Sequence, residues 1–320
     1  MARRKNLSVN ELAILNDIVA VNYTLDELVQ KFIEDCELRN LRSHTIKFYR
    51  SELSTFQSLL NEQELELSPS DITGNIIKQN VILYMKGKGI KPVSINTRLR
   101  ALRAFFNYLH KQKFIRNNPM SDIQLLKDRK HVIETFDIKQ ISQMLKACDV
   151  RTFVGFRDYT IIMLLLETGI RANELIGIQV TDIIWHDKVI RIRNAKGQYE
   201  RFVPIQKKMI EQLKKYVAIR GTVDTEYLFI TQDETPMSKR QLQNRIAIIG
   251  KKANIKNVRC SPHTFRHTFA KLSVMNGANA FQLQAILGHT TLEMTKVYVN
   301  LFSNEISESH AKFSPLNNLK

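Results

Sequence analysis

Apolar residues that return every three or four positions, in one segment after another, constrain this chain more than any other feature. Leu25, Leu28, Val29, Phe32, Ile33 and Cys36 follow Thr24-Leu25-Asp26-Glu27. That tetrad is a capping box, in which a Thr hydroxyl and a Glu carboxylate satisfy each other's free backbone donors at a helix start. Ile46, Tyr49, Leu53, Phe56 and Leu60 repeat the spacing from about Ser43. A third helix is expected near Asn75–Met85, ending at Lys86-Gly87-Lys88-Gly89. A fourth, striped by Ile95, Leu99, Leu102, Phe106 and Leu109, follows Pro92-Val93-Ser94. Four such helices make a small bundle.

Beyond them, a polar stretch from Arg116-Asn117-Asn118-Pro119-Met120 to about Lys130 reads as a connection. Helical spacing resumes with Ile138, Ile141, Leu145 and Cys148. The run from Ile161 to Leu166 is apolar on every side, which predicts a buried helix stopped by Gly169. Convincing β pattern occurs in one place. Ile183-Ile184-Trp185, Val189-Ile190-Arg191-Ile192 and Arg201-Phe202-Val203-Pro204-Ile205 are short β-branched runs, with Lys196 in the turn before the last. The expected fold is therefore mostly α: an N-terminal four-helix bundle, then a mainly helical domain holding a small antiparallel sheet. The expected divisions are an extension over 1–22, the bundle over 23–115, a connection over 116–134, the second domain over 135–303 and a tail over 304–320.

Charge narrows the partner. The 320 residues carry a net +17, and the sign is segregated. No acidic residue lies between Asp71 and Asp122, a span holding Lys86, Lys88, Arg98, Arg100 and Arg103. None lies between Glu234 and Glu293, a span holding Lys239, Arg240 and Arg245. A solvated surface mixes both signs, so two acid-free spans predict two surfaces that face a polyanion, with nucleic acid the natural candidate and those eight residues the expected contacts. A membrane surface would call for an amphipathic helix with exposed Trp, Phe and Leu, and no apolar run reaches the length of a membrane span. The basic start lacks the apolar core of a signal peptide. Three cysteines, Cys36, Cys148 and Cys260, are odd in number and far apart, which predicts reduced thiols and a cytoplasmic protein.

The chemistry concentrates near the end. Ser261-Pro262-His263-Thr264-Phe265-Arg266-His267, Leu287-Gly288-His289 and Tyr298 gather imidazoles, a guanidinium and a phenol over a short span. Arginine and histidine neutralise oxyanions, and tyrosine can carry a phosphoryl group covalently. Taken singly, Tyr298 reads as a core tyrosine, Arg171 as a surface ion-pair residue and His289 as a helix-end residue. Cys260, His263 and His267 also have metal-like spacing, although a fourth ligand is missing nearby in sequence, so no metal is expected.

Four motifs in order resemble the tyrosine recombinase (phage integrase) family. Thr168-Gly169-Ile170-Arg171-Ala172-Asn173-Glu174-Leu175 is similar to its first arginine motif, and Lys196-Gly197-Gln198-Tyr199-Glu200-Arg201 to its β-hairpin lysine segment. His263-Thr264-Phe265-Arg266 matches its His-x-x-Arg box, and Leu287-Gly288-His289 with Tyr298, nine residues later, its last box. More weakly, the N-terminal bundle resembles the family's core-binding domain. The resemblance implies catalytic roles for Arg171, Lys196, His263, Arg266, His289 and the nucleophile Tyr298. Arg171 and Arg266 would hold the non-bridging oxygens, His263 would take the phenolic proton, and Lys196 would protonate the departing 5′ oxygen. Glu174 would position Arg171, and His267 would buttress the site.

That resemblance also implies a 3′-phosphotyrosine, strand exchange through a Holliday junction, and no cofactor, ATP or metal. Its partners would be double-stranded DNA with paired half-sites, a tetramer of the chain itself and, optionally, a second recombinase or accessory protein. An Xer-like or compact mobile-element enzyme fits better than a lambda-like one, because some twenty residues before the first helix are too few for an arm-binding domain. The tail, with Ile306, Phe313, Leu316 and Leu319, could dock on a neighbouring protomer, pack on its own domain or fray. A non-cutting DNA-binding regulator and a type IB topoisomerase are the competing readings. Filled catalytic positions disfavour the first, and the integrase-like boxes disfavour the second.

Overall fold

Residues 23–127, 133–193, 200–289, 291–293, 295, 296 and 298 are described in the computed structural model. The N-terminal extension, Lys196 in its turn and the tail from 304 lie outside the described residues. Two units divide the chain, Met1–His131 and Val132–Lys320.

The first unit is the expected bundle. α1 (Leu25–Leu38) starts on its capping box, with the Glu27 N–H donating to Thr24 Oγ1 at 3.2 Å and the Thr24 N–H to Glu27 Oε2 at 2.8 Å. α2 spans Ser43–Asn61. Gly74–Ile76, Ile77–Leu83 and Tyr84–Gly87 run on as α3, whose middle is wound as a π-helix. Gln63, just beyond α2, braces that wide turn: its Nε2 donates to the Asn80 carbonyl at 2.9 Å, and Asn80 Nδ2 returns a bond to Gln63 Oε1 at 3.0 Å. α4 (Pro92–Lys111) lies against α1 and α2. Leu99, Leu102, Phe105 and Phe106 of α4 are fully buried with Phe32 and Phe56.

Two features depart from expectation. The stretch read as a connection from 116 packs onto the bundle: Met120 and Ile123 are buried in its core, with Leu125 and Leu126 against it. Asn96 on α4 clamps Leu126 from both sides, Nδ2 donating to its carbonyl at 2.9 Å and Oδ1 accepting its N–H at 2.8 Å. Secondly, some of the basic residues assigned to a polyanion surface turn inward. Arg98 is 9% exposed and its guanidinium lies 3.0 Å from the Glu52 carboxylate. The angle is not that of a hydrogen bond, since Glu52 Oε2 and Arg98 Nε have no such partner. Arg103 is half-buried and donates to the Ile123 carbonyl. The physical reason is position on the helix: α4 buries Ile95, Leu99 and Leu102, and Arg98 sits within that stripe. Lys86 and Arg100 are exposed, and Lys88 is exposed but paired with Glu62.

The second unit surrounds α6 (Phe153–Thr168), buried along Ile161, Ile162, Leu164 and Leu165 as its all-apolar run required. α5 (Ile138–Lys146) precedes it and α7 (Ala172–Ile176) follows it. β1 (Ile183–Ile184), β2 (Val189–Ile192) and β3 (Arg201–Pro204) form an antiparallel sheet in that order, with Ile183 opposite Ile190 and Ile192 opposite Arg201. α8 (Lys207–Arg220), α9 (Lys239–Lys252), α10 (Pro262–Met275) and α11 (Ala280–Leu287) complete the unit. α8 and α10 pack directly on α6. The domain is thus mainly helical with a small three-stranded sheet.

Arg245 on α9 is likewise not a free surface cation. Its Nε donates to Asp158 Oδ2 at 2.7 Å, while Arg157 Nη2 donates to Oδ1 at 2.8 Å, and Asp158 is 2% exposed. A buried carboxylate must be paired, and α6 recruits α9 to do it. Lys239 and Arg240, at the start of α9, remain exposed.

Breaking a buried ion pair from one side leaves an uncompensated charge. Arg98→Met is expected to lower the unfolding free energy by about 3 kcal/mol, measured by urea denaturation. Adding Glu52→Leu should recover most of that loss. A surface contact residue would show neither effect.

Candidate active site

Two glycines in the left-handed region aim the site. Gly169 ends α6 at φ 59°, and a Cβ there would fall 2.4 Å from the Phe269 ring and 2.9 Å from Leu287 Cδ2. The chain therefore turns tightly against α10 and α11 and delivers Arg171 to the N-terminus of α7. One turn into α7, Glu174 reaches back, its Oε2 accepting the Arg171 N–H at 2.8 Å and its Oε1 accepting Arg171 Nη1 at 2.9 Å. Gly288 ends α11 at φ 64°, where a Cβ would meet Arg201 Nη1 at 2.8 Å. That turn releases His289 and the segment leading to Tyr298.

Three guanidinium groups converge on the C-terminal carbonyls of α11. Arg171 donates to Leu287 O at 3.3 Å and Gly288 O at 3.1 Å, and Arg266 to Leu287 O at 2.8 Å. Arg201 donates to Ile286 O at 3.1 Å. A helix end presents free carbonyls and a partial negative charge, so it is a natural seat for cations. Arg266 is also tied to Gly169 O at 2.8 Å, so one side chain joins the two glycine turns. Arg201 grips Glu174 with both ends of its fork, at 3.0 and 2.8 Å. Burial pushes the Glu174 carboxyl upward, but the bonds and charge of Arg201, with those of Arg171, overcome it and hold it below the usual range. Arg266 is lowered to about 10, by burial first and by the neighbouring Arg171 next. It stays charged at neutral pH.

The aromatic groups lie beside these cations. Tyr298 is 6% exposed, and its hydroxyl is 2.8 Å from His267 Nδ1. His289 lies nearly parallel to the phenol, with centroids 6.1 Å apart and planes 10° apart, and its Nδ1 is 2.9 Å from Thr295 Oγ1. A Thr295 hydroxyl that donates to Nδ1 leaves His289 Nε2 carrying the ring proton, as a donor. Burial raises the Tyr298 pKa, and Arg266 and Arg171 pull it partly back. His267 is lowered by burial first, then by His263 and Arg266. His263 is lowered by partial desolvation of its ring, although the residue as a whole is exposed, and next by Arg266.

The structure thus brings Arg171, Arg266, His289 and Tyr298 together. His263 lies one turn before His267 on α10, exposed, with its ring 6.3 Å from the His267 ring. The imidazole at the phenolic hydroxyl in this structure is that of His267 rather than that of His263. Lys196 lies outside the described residues. Sequence reasoning also passed over Arg201 and Thr295. Arg201 stood in the quoted lysine segment, and its place at the first position of β3 was the available signal. The Cys260 thiol donates to the Val258 carbonyl and packs on Gly250. Among the described residues no three His, Cys, Asp or Glu side chains are arranged to hold a metal ion.

Two guanidinium forks, imidazoles and a phenol gathered on a mainly helical domain suit phosphoryl transfer to tyrosine. Residues 134–305 match the model of the phage integrase family, and residues 29–113 that of the phage integrase N-terminal SAM-like domain. The chain belongs to the phage integrase family, the tyrosine recombinases, whose reaction is site-specific DNA recombination. The tyrosine recombinase XerC of Thermodesulfovibrio yellowstonii is 31% identical over 284 residues, covering 86% of this chain and 91% of that one. XerD of Shewanella oneidensis is 28% identical, covering 93% and 99%. Among solved structures, a lambda integrase dimer bound to a COC′ core site aligns with a TM-score of 0.74 at 18% identity, covering 91% of this chain and 81% of that one. XerH bound to a palindromic difH substrate aligns at 0.72 and 21% identity, covering 90% and 84%.

His289 is lowered from 6.5 to about 4, by burial first and then by Arg266, Arg171 and Arg201. The unfolded chain takes up that proton at a higher pH than the folded one. The contribution of neutral His289 to stability is therefore complete above about pH 6.5 and is lost as pH falls toward 4. Unfolding free energies measured across that window are expected to decline, with a shallower slope in His289→Gln.

Proposed function

We propose that this chain cuts and rejoins duplex DNA at paired half-sites through a 3′-phosphotyrosine on Tyr298, passing through a Holliday junction. The observation that carries the reading is the Tyr298 hydroxyl, hydrogen-bonded to an imidazole beside Arg171 and Arg266. Phosphodiester cleavage concentrates charge on the non-bridging oxygens, and guanidinium forks already seated on the α11 carbonyls meet that charge without rearranging. Arg171, Arg266, His263 and His289 bind those oxygens. Lys196 protonates the departing 5′ oxygen. Energy of the broken phosphodiester is kept in the phosphotyrosine, so the 5′-hydroxyl of another strand can reverse the step.

The exposed Lys86, Lys88 and Arg100 of the first unit, and Lys239 and Arg240 of the second, contact backbone phosphates. Arg98, Arg103 and Arg245 act through the fold instead. Two protomers occupy paired half-sites and four hold two sites together, in keeping with the lambda integrase dimer on its core site. Relatives named both XerC and XerD are consistent with resolution of DNA dimers alongside a second recombinase, and integration or excision of a mobile element uses the same steps. The reaction takes place on DNA in the cytoplasm. No described helix is long and apolar enough to cross a membrane.

A half-site duplex nicked near the cleavage position traps the intermediate, because the short 5′ fragment diffuses away. The wild type is expected to form an SDS-stable protein–DNA adduct and Tyr298→Phe none. An adduct that persists in Tyr298→Phe would overturn the assignment.

A further inference from the structure

We propose that His267 is a catalytic residue of strand cleavage: its Nδ1 takes the proton of the Tyr298 hydroxyl as the phenolic oxygen attacks phosphorus. This rests on the function proposed above and adds the acceptor of the nucleophile's proton. The two atoms are 2.8 Å apart, with the rings tilted at 47° and their centroids 5.7 Å apart. That distance is already within the range of productive proton transfer. His267 is the partner of the hydroxyl among the described residues. His263 is exposed and stacks over His267, and the Nδ1 of His289 is taken by Thr295.

The environment suits the role. Burial, His263 and Arg266 all press His267 toward its neutral form, which has a lone pair to offer. Burial likewise keeps the phenol protonated before reaction, so attack requires an acceptor. With the ring proton on Nε2, Nδ1 faces the phenolic O–H as acceptor. In the forward step the Tyr298 proton moves to Nδ1, the phenolic oxygen–phosphorus bond forms, and the bond to the 5′ oxygen breaks. The Lys196 ammonium supplies the proton to that oxygen. His267 ends as imidazolium and Lys196 as amine. Religation runs the same transfers backwards: the incoming 5′-hydroxyl returns its proton to Lys196, and the imidazolium returns its proton to the departing phenol.

A proton acceptor is separable from a residue that only holds the phenol in place. His267→Asn keeps a side-chain group able to bond the hydroxyl but cannot take its proton, and His267→Gln serves as a second form if the first folds poorly. Single-turnover adduct formation on the nicked half-site is expected to slow about a hundredfold in either variant, with half-site affinity unchanged. Site-specific replacement of Tyr298 by 3,5-difluorotyrosine, a more acidic phenol, should recover about a factor of ten in those variants, since a phenol that ionises more readily depends less on a base. The idea is overturned if the variants stay within about threefold of wild type, if they cleave faster, or if the acidic phenol gives no recovery. Failure of the recombinase reading itself would show differently, as a wild-type chain that forms no adduct at all.

Discussion

Everything in the catalytic domain turns on seating three like charges at one helix end. Arg171, Arg201 and Arg266 all donate to carbonyls of the last residues around the end of α11, and Glu174 lies beneath them, paired with Arg201 and Arg171. Crowded guanidinium groups repel, and buried ones lose hydration. Free carbonyls at a helix C-terminus and one buried carboxylate offset both costs, and they do so with fixed geometry. The positive charge therefore remains in excess, which is the electrostatic basis of the proposed phosphodiester site.

That excess charge also sets the proton chemistry around it. His267 and His289 are held toward their neutral forms by burial and by neighbouring charge that includes Arg266, while burial keeps the phenol protonated. A neutral imidazole can either accept a proton or donate a hydrogen bond, depending on which nitrogen carries the hydrogen. The contacts at Nδ1, from the Thr295 hydroxyl for His289 and the Tyr298 hydroxyl for His267, bear on that choice. In the proposed reaction one set of cations thus serves both substrate binding and the poise of the groups that move protons.

Local patterns were legible where one element decides them. The capping box at Thr24 and the all-apolar run of α6 each act within a single segment, and the three strands announced themselves by β-branched runs. Arg98 and Arg245 were not legible. Their charge is plain in the sequence, but the partners that turn them inward, Glu52 and Asp158, come from other helices. The stretch after 115 looked like a connection because it is polar, yet its few apolar residues, Met120 and Ile123, were enough to dock it on the bundle. The contact of His267 with Tyr298 was not legible for a related reason, since its partner lies 31 residues further along the chain.

By itself, then, the amino-acid order determined the helices, the sheet and the inventory of reactive groups, because caps, periodicity and motif spacing act over a few residues. Tertiary structure alone decided which charges face outward, which carbonyls seat the arginines and which imidazole meets the phenol. Those outcomes depend on side chains that approach one another only when α6, α10 and α11 pack and the two left-handed glycine turns bring their ends together.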